Sequence, residues 1–476
     1  MRTFSTAFVA ASVLLSSPPW SWAEDDEDLG RIPGEALKDE APRKEIPGEA
    51  DARKARETLE RRLFLEDAST ASPFTRPVSV PYPKSLFADY QNRSSFDGTV
   101  RWSPLESLHL VLSDRLSVFE KTDLSFLSSQ TVENDLREAF VSAELGEGTF
   151  LEAGRVNVRN GVALGFNPTD FMKARTLVGQ SSLDPSVIRE NRLGTLIVRF
   201  ETMFGSGAAS LAFAPKVESP PPLSERHPLG IDPRLGATNG VNRALATVSL
   251  HLLDLSPELI GYLEPHRQKV GLNLSHPVGS AIVAYGEWAG GTEANLATRA
   301  RDFGVATGTF PSGTPVLPTT TTTTAFRNVV PTGLSLTVAT AATLNFEYHF
   351  HEGGFGRSDF RRWSSLGSAP GTPSFIPAEL WFIRGYASDE EEPLARHQVF
   401  VRAEFPRTLR HDLDLSAFAF VNLEDASSLS QLSLSYYLSD SVTLSGFVSA
   451  SLGNRDSERG SYPESVSAIL ALRVYL

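Results

Sequence analysis

Strict alternation of apolar and polar residues recurs along most of this chain. Leu344, Phe346, Tyr348 and Phe350 interleave with Asn345, Glu347, His349 and His351. Leu432, Leu434, Tyr436 and Leu438 interleave with Gln431, Ser433, Ser435 and Tyr437, and Val442 to Leu452 alternates largely with Ser and Thr. A period of two places one set on each face of a strand. The pattern predicts strands at 95–103, 107–119, 135–146, 149–157, 193–204, 208–216, 244–255, 259–265, 268–276, 281–290, 329–339, 343–352, 397–405, 412–423, 428–438, 442–453 and 465–476. A further strand over 84–92 brings the number to about 18, and removing the weakly patterned 259–265 stretch brings it to about 16.

Many of these stretches run to about ten residues, longer than a typical soluble strand and enough, when tilted, to cross a bilayer. Short links such as Gly205-Ser206-Gly207 and Ser439-Asp440 take turns with long polar loops near 158–192, 218–243, 290–326 and 353–396. Short turns at one end and long loops at the other mark an outer-membrane barrel. A sandwich has shorter strands with turns at both ends, and a propeller or solenoid has a fixed repeat that this sequence lacks. The polar face carries Glu, Arg, His and Ser strand after strand, which suits a wet lumen. The fold class predicted for 84–476 is all-β: a transmembrane antiparallel β-barrel of about 16–18 strands.

The N-terminal region reads differently. Arg2, the apolar stretch Thr6–Leu15 and Ser21-Trp22-Ala23 before an acidic run predict a signal peptide over 1–23. Residues 24–83 form an acidic periplasmic extension, partly disordered, in which Ile32-Pro33-Gly34-Glu35-Ala36 recurs as Ile46-Pro47-Gly48-Glu49-Ala50. Good helix formers with Leu59, Leu63 and Leu65 predict a short helix near 52–66.

Composition narrows the chemistry. The 476 residues hold no cysteine, which excludes disulfides, thiolate metal sites and a lipid-modified N-terminal cysteine. A net charge of -13 argues against nucleic acid as a partner, because phosphate contacts need a surplus of Lys and Arg. Glu347, His349 and His351 share one strand face, but i and i+2 positions sit too far apart to chelate a metal without help from another strand. They read as pore-wall residues, as do Arg199, Glu201, Arg402 and Glu404, whose opposite charges are expected to form ion pairs. Ser249 with His251, His266 and His276 are the residues a barrel-embedded hydrolase would use, but no nucleophile elbow accompanies them. Neither an enzyme nor a cofactor is expected. The threonine run 319–324 reads as an unpacked loop tip.

Two segments resemble known families. Leu470, Leu472, Val474, Tyr475 and Leu476 resemble the C-terminal signal that hands outer-membrane proteins to the barrel-assembly machinery, with Leu476 where Phe is usual. Leu151-Glu152-Ala153-Gly154-Arg155, Asn160-Gly161, Gly165-Phe166-Asn167-Pro168-Thr169-Asp170-Phe171, Asp184-Pro185 and Arg189-Glu190 resemble a segment of porin-like and alginate-export-like outer-membrane barrels. The resemblance implies a porin-like channel, lodged among outer-membrane lipid and lipopolysaccharide and assembled with periplasmic chaperones. It says nothing of alginate itself.

The loop after Arg155 has its own physics. Asn167-Pro168 forces a turn, Thr169 or Asp170 is placed to cap a short helix over Phe171–Thr176, and Asp184-Pro185 to start another reaching Arg189. A connection this long is expected to fold inward and carry Asp170, Lys173, Arg175, Arg189 and Glu190 into the lumen as a constriction. The function read from the sequence is passive diffusion or export of small polar or saccharide solutes. The alternative is a non-conducting barrel that serves as adhesin or scaffold through its long loops, with a barrel-embedded hydrolase behind it.

Overall fold

The computed structural model describes residues 58–82, 89–122, 128–179, 181–223, 229–230, 232–252, 255–265, 267–318, 324–338 and 342–476. The expected signal peptide, the acidic stretch up to residue 57, His266 and most of the threonine run lie outside the described residues. The strands, in chain order, are β1 (Thr58–Thr75), β2 (Tyr90–Leu105), β3 (Leu108–Thr122), β4 (Ser128–Gly146), β5 (Thr149–Val156), β6 (Thr195–Phe204) and β7 (Gly207–Ala214). After the two-residue β8 (Leu229–Gly230) come β9 (Arg243–Leu250), β10 (Glu258–Glu264), β11 (Arg267–Val278), β12 (Ile282–Glu293) and β13 (Ala325–Val338). The last six are β14 (Ala342–His351), β15 (His397–Arg410), β16 (Leu413–Asn422), β17 (Ser428–Ser439), β18 (Val442–Leu452) and β19 (Glu464–Tyr475).

Each strand of the wall pairs antiparallel with its neighbours in sequence, β7 with β9, and β1 with β19. The sheet therefore closes into a barrel of 18 strands, with β8 a parallel appendage on β4. Closure removes every edge, which is what allows a sheet to stand in lipid. No helix among the described residues is long and apolar enough to cross a membrane.

The eighteenth strand is not where the sequence pattern puts it. The helix expected near 52–66 is, from Thr58 onward, part of β1, which runs to Thr75. The separate strand expected over 84–92 is absent from the described part of that range, where β2 begins at Tyr90. The barrel thus begins at Thr58, not at residue 84. Helix propensity offers only a few tenths of a kcal/mol per residue. Leaving β2 and β19 unpaired would strand backbone groups in hydrocarbon at about several kcal/mol each. Pairing on both sides, Phe64 to Tyr475 and Thr58 to Ser103 among others, outweighs the local preference. The weakly patterned 259–265 stretch is a true strand, β10.

Faces follow the alternation. Leu432 and Leu434 are 50% and 40% exposed on the outside, whereas Gln431 and Ser433 between and beside them are 3% and 9% exposed on the inside. Phe346, Val401, Val448 and Leu470 are likewise outward and exposed. Connections at one end are brief, as at Glu106-Ser107, Glu147-Gly148 and Gly205-Ser206. At the other end they are long: 157–194, 215–242, 294–324 and 352–396. Both Thr58 and Leu476 lie at the short-turn end.

The long connections carry the helices. Residues 157–194 hold α1 (Pro185–Glu190) and 215–242 hold α2 (Leu235–Thr238). Residues 294–324 hold α3 (Leu296–Ala306), and 352–396 hold α4 (Arg357–Ser368) and α5 (Phe375–Asp389). Helices α3 to α5 share an apolar core of Leu296, Phe360, Trp363, Leu380, Trp381 and Ile383, joined by Val80 from the strand-connecting segment after β1. They form a small helical cap at the long-loop end.

Candidate functional site

The loop 157–194 lies inside the barrel, and hydrogen bonds to inward-facing residues show how it is held. At one side two wall carboxylates receive its backbone. Glu287 of β12 accepts from the amides of Val162 and Ala163 at 2.5 and 2.6 Å and from the Thr169 hydroxyl at 2.9 Å. Glu347 of β14 accepts from the amides of Leu164 and Gly165 at 2.6 and 2.9 Å, from Tyr285 at 2.8 Å, and shares a 2.7 Å bond with His349. Gly161 must be glycine: its φ is +95° and a Cβ there would stand 2.6 Å from a Glu287 oxygen.

The loop then crosses the lumen. Arg93 of β2 and Arg115 of β3 donate to the Gly179 carbonyl, on the wall opposite Glu287. Leu183 donates its amide to Gln431 of β17 at 2.9 Å, and Arg402 of β15 donates to Asp184 at 2.8 Å. Asp184 also caps α1, accepting from the Ser186 amide at 3.0 Å with Pro185 in the first turn. That helix is the one expected from Asp184-Pro185. The helix expected over Phe171–Thr176 is instead a series of turns, because Arg175 adopts a left-handed φ of 61° and the backbone bonds span two or three residues.

Of the five charged residues expected on this loop, Asp170, Lys173 and Arg189 hold the loop together, while Arg175 faces the cap. Asp170 is 1% exposed and pairs with Arg192 at 2.7 Å and Arg189 at 3.9 Å. Lys173 donates to the Asn167 carbonyl at 2.8 Å and lies 4.2 Å over the Phe166 ring. Burial pushes its ammonium below the usual lysine range, against the pull of Glu391 and Asp170. Arg189 donates to the carbonyls of Asn160 and Gly161, Arg175 stands 4.0 Å from Glu390, and Glu190 ends α1.

The wall residues divide. Arg199 pairs with Glu152 at 2.6 Å and Glu201 at 3.8 Å, and all three keep some exposure to the lumen. Arg402 pairs with Glu404 at 2.7 Å but is buried by the loop through Asp184. Glu347 and His349 do not line open water, being 0% and 1% exposed beneath the loop. His351 bonds the Pro393 carbonyl through Nδ1. Ser249 of β9 stands opposite Glu258 of β10 and donates its hydroxyl to the Ala208 carbonyl at 3.5 Å, and His276 lies two strands away on β11.

Sequence reasoning missed a buried ionic cluster beneath the cap. Glu392, just beyond α5, meets Arg299 of α3, Arg267 of β11 at 3.2 Å and His351 at 3.8 Å. Glu293 meets Arg267 and Lys269 at 3.0 Å each, and Glu390 meets Arg267 at 3.4 Å. Burial alone would raise the Glu392 carboxyl, but Arg299 and Lys269 hold it well below the usual carboxylate range. Between loop 157–194 and the end of α5 lies a cavity of about 260 Å³ lined by Lys173, Arg189, Arg192, Arg384, Glu391 and Phe420 among others.

No protein-family model matches the sequence, and no curated protein matches it either. Among solved structures, OccK5 (OpdH) of Pseudomonas aeruginosa is similar with a TM-score of 0.47 and 8% identity, over 88% of this chain and 98% of that one. OccK11 (OpdR) of the same organism gives 0.48 and 10%, over 88% and 96%. A triple mutant of the Rhodopseudomonas blastica porin gives 0.38 and 8%, over 88% and 100%. By its own wall, closed, apolar outside and polar inside, the chain is an antiparallel transmembrane β-barrel of 18 strands.

Proposed function

We propose that the protein is an outer-membrane channel for passive diffusion or export of small polar or saccharide solutes, with loop 157–194 as its constriction. The observation that carries this reading is the course of the loop. It spans the lumen from Glu287 and Glu347 to Arg93, and a charged cavity of about 260 Å³ remains beside it. A barrel of this size encloses an aqueous passage unless something fills it. Lining charges of both signs would set which solutes pass. In this reading the chain is exported by its signal peptide, reaches the assembly machinery through Leu470–Leu476 and resides among lipid and lipopolysaccharide.

One observation favours the second reading, a plugged surface scaffold: the cap has its own apolar core and is latched to the wall by Glu392 through Arg267 of β11. Single-channel conductance in a planar bilayer separates the two. The channel reading expects current from the native protein, raised several-fold when Asp170–Arg189 is replaced by a short Gly/Ser linker, because loops add little to closure of the sheet. Current that appears only after removal of α3 to α5 would establish the plugged barrel. Silence in all three overturns the channel.

A further inference from the structure

The cavity beside loop 157–194 has two kinds of lining. Leu183 and Ile188 of the loop, Phe420 of β16 and Leu429 of β17 supply an apolar part. The Phe420 ring is steadied by Phe400, whose centroid lies 4.7 Å away. The charged part comes from the loop, from the end of α5 and from the connection between β18 and β19.

Those charges are already met. Arg192 and Arg189 stand 2.7 and 3.9 Å from Asp170, and Arg459 stands 3.1 Å from Glu458. Glu392 belongs to its pairs with Arg299 and Arg267. Lys173 donates to the Asn167 carbonyl and is drawn to Glu391 and Asp170, while Glu391 accepts from the Thr176 hydroxyl. Arg384 has no carboxylate partner among the described residues, but it lies 3.9 Å over Trp363, 4.9 Å over Trp381 and 5.0 Å over Tyr462. Its Nη2 donates to Ser461 at 2.6 Å, and its Nε and Nη1 are themselves buried. An ionic solute would have to displace one of these partners and leave it buried alone, a cost that a neutral solute does not meet. Gln398 of β15 is different. It lines the same cavity at 5% exposure, and its side-chain amide, donor and acceptor at once, has no hydrogen bond among the described residues.

We infer that this cavity is a binding subsite for a neutral pyranose, one uncharged sugar ring. The inference rests on the channel reading and narrows its solute. A pyranose carries C–H groups on its faces and hydroxyls around its rim. The faces suit Phe420, Leu429 and Ile188. The hydroxyls suit the Gln398 amide and the ion pairs, whose atoms keep hydrogen-bonding capacity after pairing. A volume of about 260 Å³ lies below the roughly 300–1,000 Å³ of pockets for drug-sized ligands and fits one ring better than a chain of them.

Three probes separate these features: methyl β-D-glucopyranoside is the ring alone, sorbitol has hydroxyls without a ring, and sodium glucuronate adds a carboxylate to the ring. Calorimetric titration of the full folded barrel in detergent is expected to show millimolar binding of the glucoside and roughly tenfold weaker binding of the other two. Phe420→Ala and Gln398→Leu are each expected to weaken glucoside binding about fivefold while the barrel stays heat-modifiable and hence folded. In proteoliposomes, glucose is expected to enter several-fold faster than sorbitol through the native protein and at the sorbitol rate through Phe420→Ala. Glucuronate bound as tightly as the glucoside, or no heat with any probe, would overturn the subsite. Current without discrimination among the probes removes the subsite and leaves the channel standing. Glucoside binding without current or entry keeps the subsite and removes the channel.

Discussion

The loop 157–194 and the cap of helices α3 to α5 both cover the lumen, yet they keep their shapes by different means. The first segment seats Phe166, Phe171 and Met172 in an apolar cluster with Ile197, Leu245, Ile260 and Tyr262 of the wall, and fixes its backbone amides to Glu287 and Glu347, which the wall also supplies. The second packs Trp363, Leu380, Trp381 and Ile383 against one another and meets the wall where Glu390 and Glu392 pair with Arg267 of β11 and Arg299 pairs with Glu293 of β12. A loop whose core is shared with the wall borrows rigidity from the barrel. A cap with a core needs only a latch. The two meet where Arg175 donates its amide to the Asp389 carbonyl at 2.6 Å and Thr176 bonds Glu391 at 2.9 Å.

If that contrast holds, each insert loosens alone. Trp363→Ala empties the centre of the cap and is expected to cost it about 3–5 kcal/mol. Hydrogen exchange then rises over α3 to α5 while residues 157–194 keep their protection; equal loosening of both would show one cooperative unit. Glu347→Ala removes the acceptor of two buried amides and of Tyr285, expected at about 1–3 kcal/mol for the unsatisfied groups. Exchange should quicken at 162–169 and leave the cap unchanged.

The smallest effect is that of pH. Asp389 is pushed up to about 7 by burial and by Glu390, with Glu391 adding to this and Arg175 and Arg234 opposing it. Burial pushes Glu379 up to about 7 as well, against Arg301. A carboxyl raised in the folded state stabilises it fully below its ordinary value and loses that contribution as pH rises toward 7. Glu392, held low, stays ionised from pH 5 to 8 and adds no slope there. The cap is therefore expected to exchange a few-fold more slowly at pH 5 than at pH 8, after correction for intrinsic rates. Asp389→Asn should reduce that difference.

Most of the wall was legible in the sequence because alternation is a local signal: β14, β17, β18 and β19 can be read from their own residues. The strand β1 was not, since Arg, Glu and Leu around 52–66 favour a helix in isolation and only pairing with β2 and β19 reverses this. The α1 cap was legible in Asp184-Pro185. The anchoring role of Glu347 was not, because its partners at Leu164 and Gly165 lie more than 180 residues away. Helices α4 and α5 were passed over as a polar loop, although the apolar run around Phe375–Tyr386 was a usable signal.

Closure of the sheet by β1 and β19 has a consequence for the order of the chain. The two strands are neighbours with Phe64 opposite Tyr475, and the Leu476 amide bonds the Leu63 carbonyl at 2.9 Å. The beginning and the end of the barrel are thus stitched together, and the wall has no natural seam. A circular permutant that links Leu476 to Thr58 and opens at Asp440-Ser441 keeps every strand pair of the wall. In such a molecule Leu470–Leu476 run on through the linker into β1, and the cylinder closes instead between β17 and β18.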